Sequence, residues 1–182
     1  MGSRAGLIVT VFGSSRPAPG SQPYENAREL GAALARAGFA VASGGYGGAM
    51  EGVSRGAKEA GGKTIGVTAE VFRSPANAWL EDEIRVRTWQ ERLLKLVELG
   101  AGYVVLPGGT GTLVELAVVW EWINKGFLPA KPVVLLGEFW GPVVGAIPAA
   151  ELRANPILKA ANPAEAVALL RGHLGEPRGT RR

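Results

Sequence analysis

A chain of 182 residues with no cysteine, one histidine and one aspartate lacks the thiols of a disulfide framework and nearly all the ligands of a zinc or iron site. Its formal charge of +4 comes mainly from the end: without the last twelve residues, 16 basic and 15 acidic side chains remain, so the body is almost neutral and a nucleic-acid partner is not expected. The length suits one domain that buries roughly 70% of the surface its unfolded chain would expose.

The first apolar run, residues 7–12, reads as a central parallel strand. It is too short for a signal peptide or a membrane span, which predicts a cytoplasmic protein without a membrane partner. The run ends at GSSRP, residues 13–17. Ser21, with Pro23 just inside, opens a helix whose apolar face is Ala27, Leu30, Leu34 and Ala37, stopped by Gly38. Residues 39–42 are a second strand that runs into SGGYGGAMEG, residues 43–52. Met50, Val53 and Ala57 continue at helical spacing up to Gly61 and Gly62, and residues 64–67 form a third strand. This βαβαβ opening predicts an α/β fold: a single-domain, Rossmann-like, doubly wound parallel sheet with helices on both faces.

Residues 70–82 read as a loop with a helical turn, and Ile84 and Val86, alternating with Arg85 and Arg87, as a short edge strand. Thr88 and Glu91 form a capping box, T-W-Q-E, that starts a helix at Trp89 and carries it to about Leu99. Arg92 then lies in its first turns, near the mouth of the sheet. Residues 103–106 are a strand, PGGTGT (residues 107–112) a tight turn, residues 113–123 an apolar helix and residues 133–136 a further strand. Asn162 before Pro163 caps a last helix. The domain is expected to span residues 1–172, with residues 173–182 a flexible basic tail.

In a parallel sheet all strand-to-helix loops lie at one edge, where open α/β folds bind ligands. GSSRP, SGGYGGAMEG and PGGTGT would line one crevice there with backbone N–H groups and small hydroxyls, a chemistry suited to phosphate and ribose. The alternative is that the glycines only permit tight turns. PGGTGT has Leu113 where a P-loop needs its lysine, and Val114 where the dinucleotide fingerprint needs its third glycine, so a mononucleotide fits better than NAD.

PGGTGTLVE resembles the PGGxGTxxE signature of the Lonely guy (LOG) family, cytokinin riboside 5′-monophosphate phosphoribohydrolases, many once labelled lysine decarboxylases. SGGYGGAMEG resembles that family's GGGxxGLMG segment and GSSRP its first loop, so the likeness runs over about residues 6–140. Ser43 and Glu51 stand where the family has glycine. Trp89, Gln90 and Leu93 replace the methionine, histidine and lysine around the family's functional arginine, whose place Arg92 takes.

The resemblance implies hydrolysis of a nucleoside 5′-monophosphate, AMP or an N6-substituted AMP, to free base and ribose 5-phosphate. It also implies a homodimer or higher homo-oligomer. Molybdenum cofactor carriers of the same fold are similar too, which leaves a non-catalytic nucleotide-like cofactor binder as the alternative. No lysine falls in the three loops to hold pyridoxal phosphate, so the decarboxylase label is discounted; neither cofactor nor metal is expected.

The catalytic candidates are Arg92 and Glu115. The transition state of such a hydrolysis has oxocarbenium character, which a carboxylate stabilises, and an arginine holds phosphate or assists the departing base. Substrate-binding candidates are Ser14, Ser15, Gly44, Gly45, Met50, Gly108, Gly109, Thr110, Gly111 and Thr112. A competing reading makes Thr112 and Glu115 a second capping box, T-L-V-E, that turns the carboxylate onto its own helix. Arg92 reads equally as a solvated helix arginine. Glu51 has two readings, helix-start acid or second carboxylate; Tyr46 is a base-stacking ring or packing, and Arg16 reaches phosphate or faces solvent. The apolar helix at residues 113–123, with Val118, Val119, Trp120 and Trp122, has more apolar surface than one sheet face covers, which agrees with a dimer.

Overall fold

Short apolar runs alternate with helical stretches from residue 8 to residue 174, and the computed structural model, which describes residues 6–154 and 156–175, pairs all the runs in one sheet. Strands β1 (Ile8–Phe12), β2 (Ala40–Ser43), β3 (Thr64–Ala69), β4 (Asp82–Val86), β5 (Gly102–Val105), β6 (Val133–Leu136) and β7 (Ile157–Ala160) are all parallel, in the order β4-β3-β2-β1-β5-β6-β7. The chain winds outward from β1 in both directions, which is the doubly wound α/β fold read from the sequence.

Period-two alternation divides each strand between two cores. On one face Val9, Val11, Val104, Val134 and Leu136 pack with α1 (Gln22–Arg36), α2 (Ala49–Glu59) and α6 (Pro163–Leu174). On the other, Phe12, Tyr103, Val105, Val133 and Leu135 pack with α3 (Trp89–Leu99), α4 (Thr110–Asn124) and the short α5 (Gly141–Gly145). No helix among the described residues is long and apolar enough to cross a membrane.

Helix α3 follows its sequence signals closely. Thr88 Oγ1 accepts from the Glu91 N–H at 3.1 Å, and the Glu91 carboxylate accepts from the Thr88 N–H, so the capping box is complete. Its other end is tied down by hydroxyls from the sheet: Thr10 Oγ1 donates to Leu96 O at 3.0 Å and Tyr103 Oη to Val97 O at 2.6 Å. Two of the late carbonyls that a helix leaves unpaired, those of Leu96 and Val97, are thus satisfied from β1 and β5, which fixes α3 on the sheet.

Three features differ from the sequence reading. Helix α4 begins at Thr110, not Leu113, so PGGTGT supplies its first turn. Residues 70–81 contain turns but no helix. Strand β7 and helix α5 have no counterpart in the reading: β7 is a four-residue, half-exposed edge strand and α5 has five residues, too little of either periodicity to be visible. Of the tail expected at residues 173–182, His173 and Leu174 belong to the last turn of α6, and residues 176–182 lie outside the described residues.

Helices α1 and α2 approach closely because glycines face backbone across their contact. A Cβ on Gly56 would fall on the Arg28 carbonyl of α1, whereas one on Gly172 of α6 would meet nothing. Alanine is favoured over glycine in a helix by up to about 1 kcal/mol, but overpacking against backbone costs about 1–3 kcal/mol. Gly56→Ala is therefore expected to lower stability by about 1–2 kcal/mol and Gly172→Ala to raise it by a few tenths of a kcal/mol or more. Urea unfolding of the two variants checks the opposed signs.

Candidate active site

The three glycine-bearing loops meet at the carboxyl edge of β1, β2 and β5, where the strand order reverses. The Ser14 N–H donates to Pro107 O at 3.3 Å, joining the first loop to the third, and the Ala49 N–H donates to Ser14 O at 2.8 Å, joining the second to the first. Ser14 Oγ accepts from the Arg16 N–H at 3.1 Å and shapes its own turn.

Arg92 crosses from α3 into the middle of this junction and is only 7% exposed. A buried guanidinium requires acceptors for its fixed donors. Its Nε donates to Val67 O at 2.8 Å and its Nη2 to Gly44 O at 3.0 Å, with Met50 Sδ 3.6 Å from the same nitrogen. Gly44 has no side chain because the guanidinium occupies the place where a Cβ would stand. The rings of Tyr46 and Phe72 lie 5.4 and 5.7 Å from the guanidinium carbon, within cation–π range.

The remaining nitrogen, Nη1, lies 3.8 Å from Glu115 Oε1, and the Glu115 side chain is 13% exposed. This position overturns the reading of Glu115 as a cap. The N-cap of α4 is Gly109, no side chain caps that end, and Glu115 lies more than a turn inside the helix with its carboxylate toward Arg92. Burial pushes the Glu115 carboxyl up to about 7, the nearby Arg92 charge opposing that rise only in part. The same burial pulls the Arg92 guanidinium below its ordinary value, against the attraction of Glu115. Arginine nevertheless keeps its proton at any ordinary pH.

Gly109, Thr110 and Gly111 are exposed at the start of α4, while Thr112 is buried against Gly108. The first-turn N–H groups of a helix have no intrahelical acceptors, and at an uncapped end they are open to an anion. Of the candidate residues, Ser14, Gly44, Met50, Arg92, Glu115 and the loop carrying Gly108 to Thr112 therefore converge. Gly45 is buried beneath them, where its N–H donates to Ser43 Oγ at 3.2 Å, and Ser15 is exposed at the rim.

The residues left with two readings are placed as follows. Glu51 accepts from Tyr24 Oη at 3.0 Å, Arg16 is exposed, and Tyr46 is buried with its ring toward Arg92. Phe72 and the Val67 carbonyl were not read as part of the site. A backbone carbonyl leaves no mark in a sequence, and Phe72 sits in the loop that carries no periodicity. No group of three or more His, Cys, Asp or Glu side chains converges among the described residues.

A doubly wound sheet with three glycine loops, a buried arginine–glutamate pair and an open helix end defines a Rossmann-like protein with an anion-compatible crevice. The chain belongs to the SLOG cluster4 family, whose model matches residues 6–167. It is similar to a protein of Rhodococcoides fascians named cytokinin riboside 5′-monophosphate phosphoribohydrolase, 33% identical over 76% of this chain and 73% of that one. Among solved structures, TM1055 is 27% identical and superimposes with a TM-score of 0.76 over 91% of this chain and 99% of that chain. The molybdenum cofactor carrier protein of Chlamydomonas reinhardtii is 28% identical, with a TM-score of 0.73 over 93% and 98%.

The Glu115 carboxyl makes stability depend on pH. Its folded value of about 7 lies above the ordinary 4.5, so between these values the native state holds a proton that the unfolded chain gives up. Its contribution to stability is therefore full below the lower value and lost as pH rises through the upper one. The ligand-free protein is expected to lose stability relative to Glu115→Gln across that window. Urea midpoints of both proteins from pH 4.5 to 8 measure it; parallel curves would contradict the placement of Glu115.

Proposed function

We propose that this protein is a nucleoside 5′-monophosphate phosphoribohydrolase that cleaves the N-glycosidic bond of AMP or an N6-substituted AMP. The observation that carries this reading is the buried Glu115 carboxylate beside Arg92, one and a half turns along α4 from its exposed N-terminus. The names of the curated relatives support the reaction class.

The 5′-phosphate rests on the N–H groups of Thr110, Gly111 and Thr112, where the helix dipole favours an anion. Glu115 stands three to five residues further on, roughly 4–8 Å along the axis, a distance on the scale of one sugar. As the bond from C1′ to the base breaks, its electron pair leaves with the base and positive charge grows at C1′. The ionised Glu115 stabilises that charge and takes a proton from the water that attacks C1′. Arg92, whose Nε and Nη2 already serve backbone carbonyls, acts mainly through Nη1 on Glu115, holding it ionised and in place. Ser14, Ser15, Gly44, Gly45 and Met50 form the floor and rim on which the sugar is held. The departing base nitrogen, which carries the electron pair of the broken bond, takes up a proton from solvent, and Glu115 releases the proton it took from water, so the products are neutral free base and ribose 5-phosphate.

Incubation of purified protein with AMP, followed by chromatography, is expected to show adenine and ribose 5-phosphate in equal amounts. Because the carboxylate form is required, kcat/KM should rise with pH through about 7. Glu115→Gln should lose that rise and lower kcat about 10²–10³-fold. Tight binding without turnover would favour a carrier like the similar algal protein, and no binding at all would remove both readings.

A homodimer is part of the same proposal. An apolar groove runs between α4 and α5, lined by Leu113, Leu116, Ala117, Trp120, Val143 and Ile147, and Leu113, Val143 and Ile147 are exposed. A second copy of the chain covers such a surface in solution. Sedimentation should give twice the chain mass, and Ala117→Arg should return the monomer; a monomeric parent protein would contradict the proposal.

A further inference from the structure

We propose that Tyr46 is a positioning residue that sets the Arg92 guanidinium against Glu115, an inference that rests on the hydrolytic reading of that pair. Tyr46 is 8% exposed, and its hydroxyl is committed to a single residue at the end of β3. It accepts from the Ala69 N–H at 2.8 Å and donates to Ala69 O at 3.2 Å. Both polar capacities of the phenol are used there, so the group is not available to a substrate and the ring cannot swing out to stack on a base.

The backbone around the ring is fixed as well. Asn77 Nδ2 donates to Tyr46 O at 3.0 Å and the Asn77 N–H to Gly45 O at 2.9 Å. The ring so held faces Arg92, with the guanidinium carbon 5.4 Å from its centroid. Phe72 meets Tyr46 edge to face at 5.7 Å and lies equally far from Arg92. Carbonyls hold the Nε and Nη2 side of the guanidinium and the rings limit its tilt, so Nη1 is directed at Glu115. Tyr46 thus acts on the reaction through Arg92. Arg92 is the charge facing Glu115 from α3, and no other charged group bears on that carboxyl among the described residues.

The test follows the Glu115 carboxyl by carbon-13 NMR in full-length protein labelled on glutamate side chains, its signal assigned by loss in Glu115→Gln. Tyr46→Met keeps bulk but removes the ring, and is expected to raise the Glu115 midpoint by about half a unit to one unit as Arg92 is released. Tyr46→Phe keeps the ring and should stay within about 0.3 unit of the parent. Phe72→Ala, at an exposed position, should move the midpoint in the same direction as Tyr46→Met and serves if that variant does not fold.

With AMP, Tyr46→Met should lower kcat about tenfold while KM changes less than threefold. A midpoint unchanged in folded Tyr46→Met, or in Phe72→Ala where only that variant folds, would reduce Tyr46 to packing and overturn the inference. Absence of AMP cleavage by the parent protein would instead overturn the hydrolytic reading, and the titration would still decide whether Tyr46 positions Arg92.

Discussion

A guanidinium taken out of water must find an acceptor for each direction in which it donates, and the carboxyl edge of this sheet is shaped by that demand. Arg92 enters from α3, and every element it reaches answers it: β3 with the Val67 carbonyl, the loop after β2 with the Gly44 carbonyl, α2 with Met50 Sδ, and α4 with the charge of Glu115, 3.8 Å from Nη1. The glycine at position 44 is a consequence, since the arginine fills the space a side chain would need. So is the firm anchoring of α3 at both ends, without which a long side chain could not be placed at this depth.

The pair makes a carboxylate whose protonation is balanced near neutrality. Burial alone would favour the neutral acid, and the neighbouring positive charge pulls it back. A group held at such a balance switches charge within the range where a cell works, which suits it to exchange a proton with water during bond cleavage. The open first turn of α4 supplies a complementary feature, fixed partial positive charge a short distance along the same helix. On the proposed reading α4 thus holds both ends of the substrate's ribose phosphate, and the rest of the crevice orients it.

Much of this was legible before the structure. The βαβαβ order, the three loops and the start of α3 at its T-W-Q-E box came from spacing and capping chemistry, and Arg92 and Glu115, singled out through the family resemblance, lie beside each other. The direction of Glu115 was not legible, because T-L-V-E satisfies the capping pattern as well as T-W-Q-E does. The two boxes differ in what precedes them: Thr88 follows a strand and can stay extended as a cap, whereas Thr112 is already inside a helix opened at Gly109. Nor could Phe72 be placed, since residues 70–81 are held by single tertiary bonds such as those of Asn77 and carry no periodic pattern. Tyr46 was visible as a residue but not as a neighbour of Arg92, a contact 46 positions distant that only the parallel sheet creates.

The central claim is that the Arg92–Glu115 pair and the start of α4 hold one nucleotide between them. A crystal structure of the Glu115→Gln protein with AMP tests it most directly. The account predicts phosphate oxygens on the N–H groups of residues 110–112 and the ribose C1′ in contact with the side chain at position 115. A nucleotide whose phosphate lies away from α4, or whose sugar does not reach position 115, would contradict it.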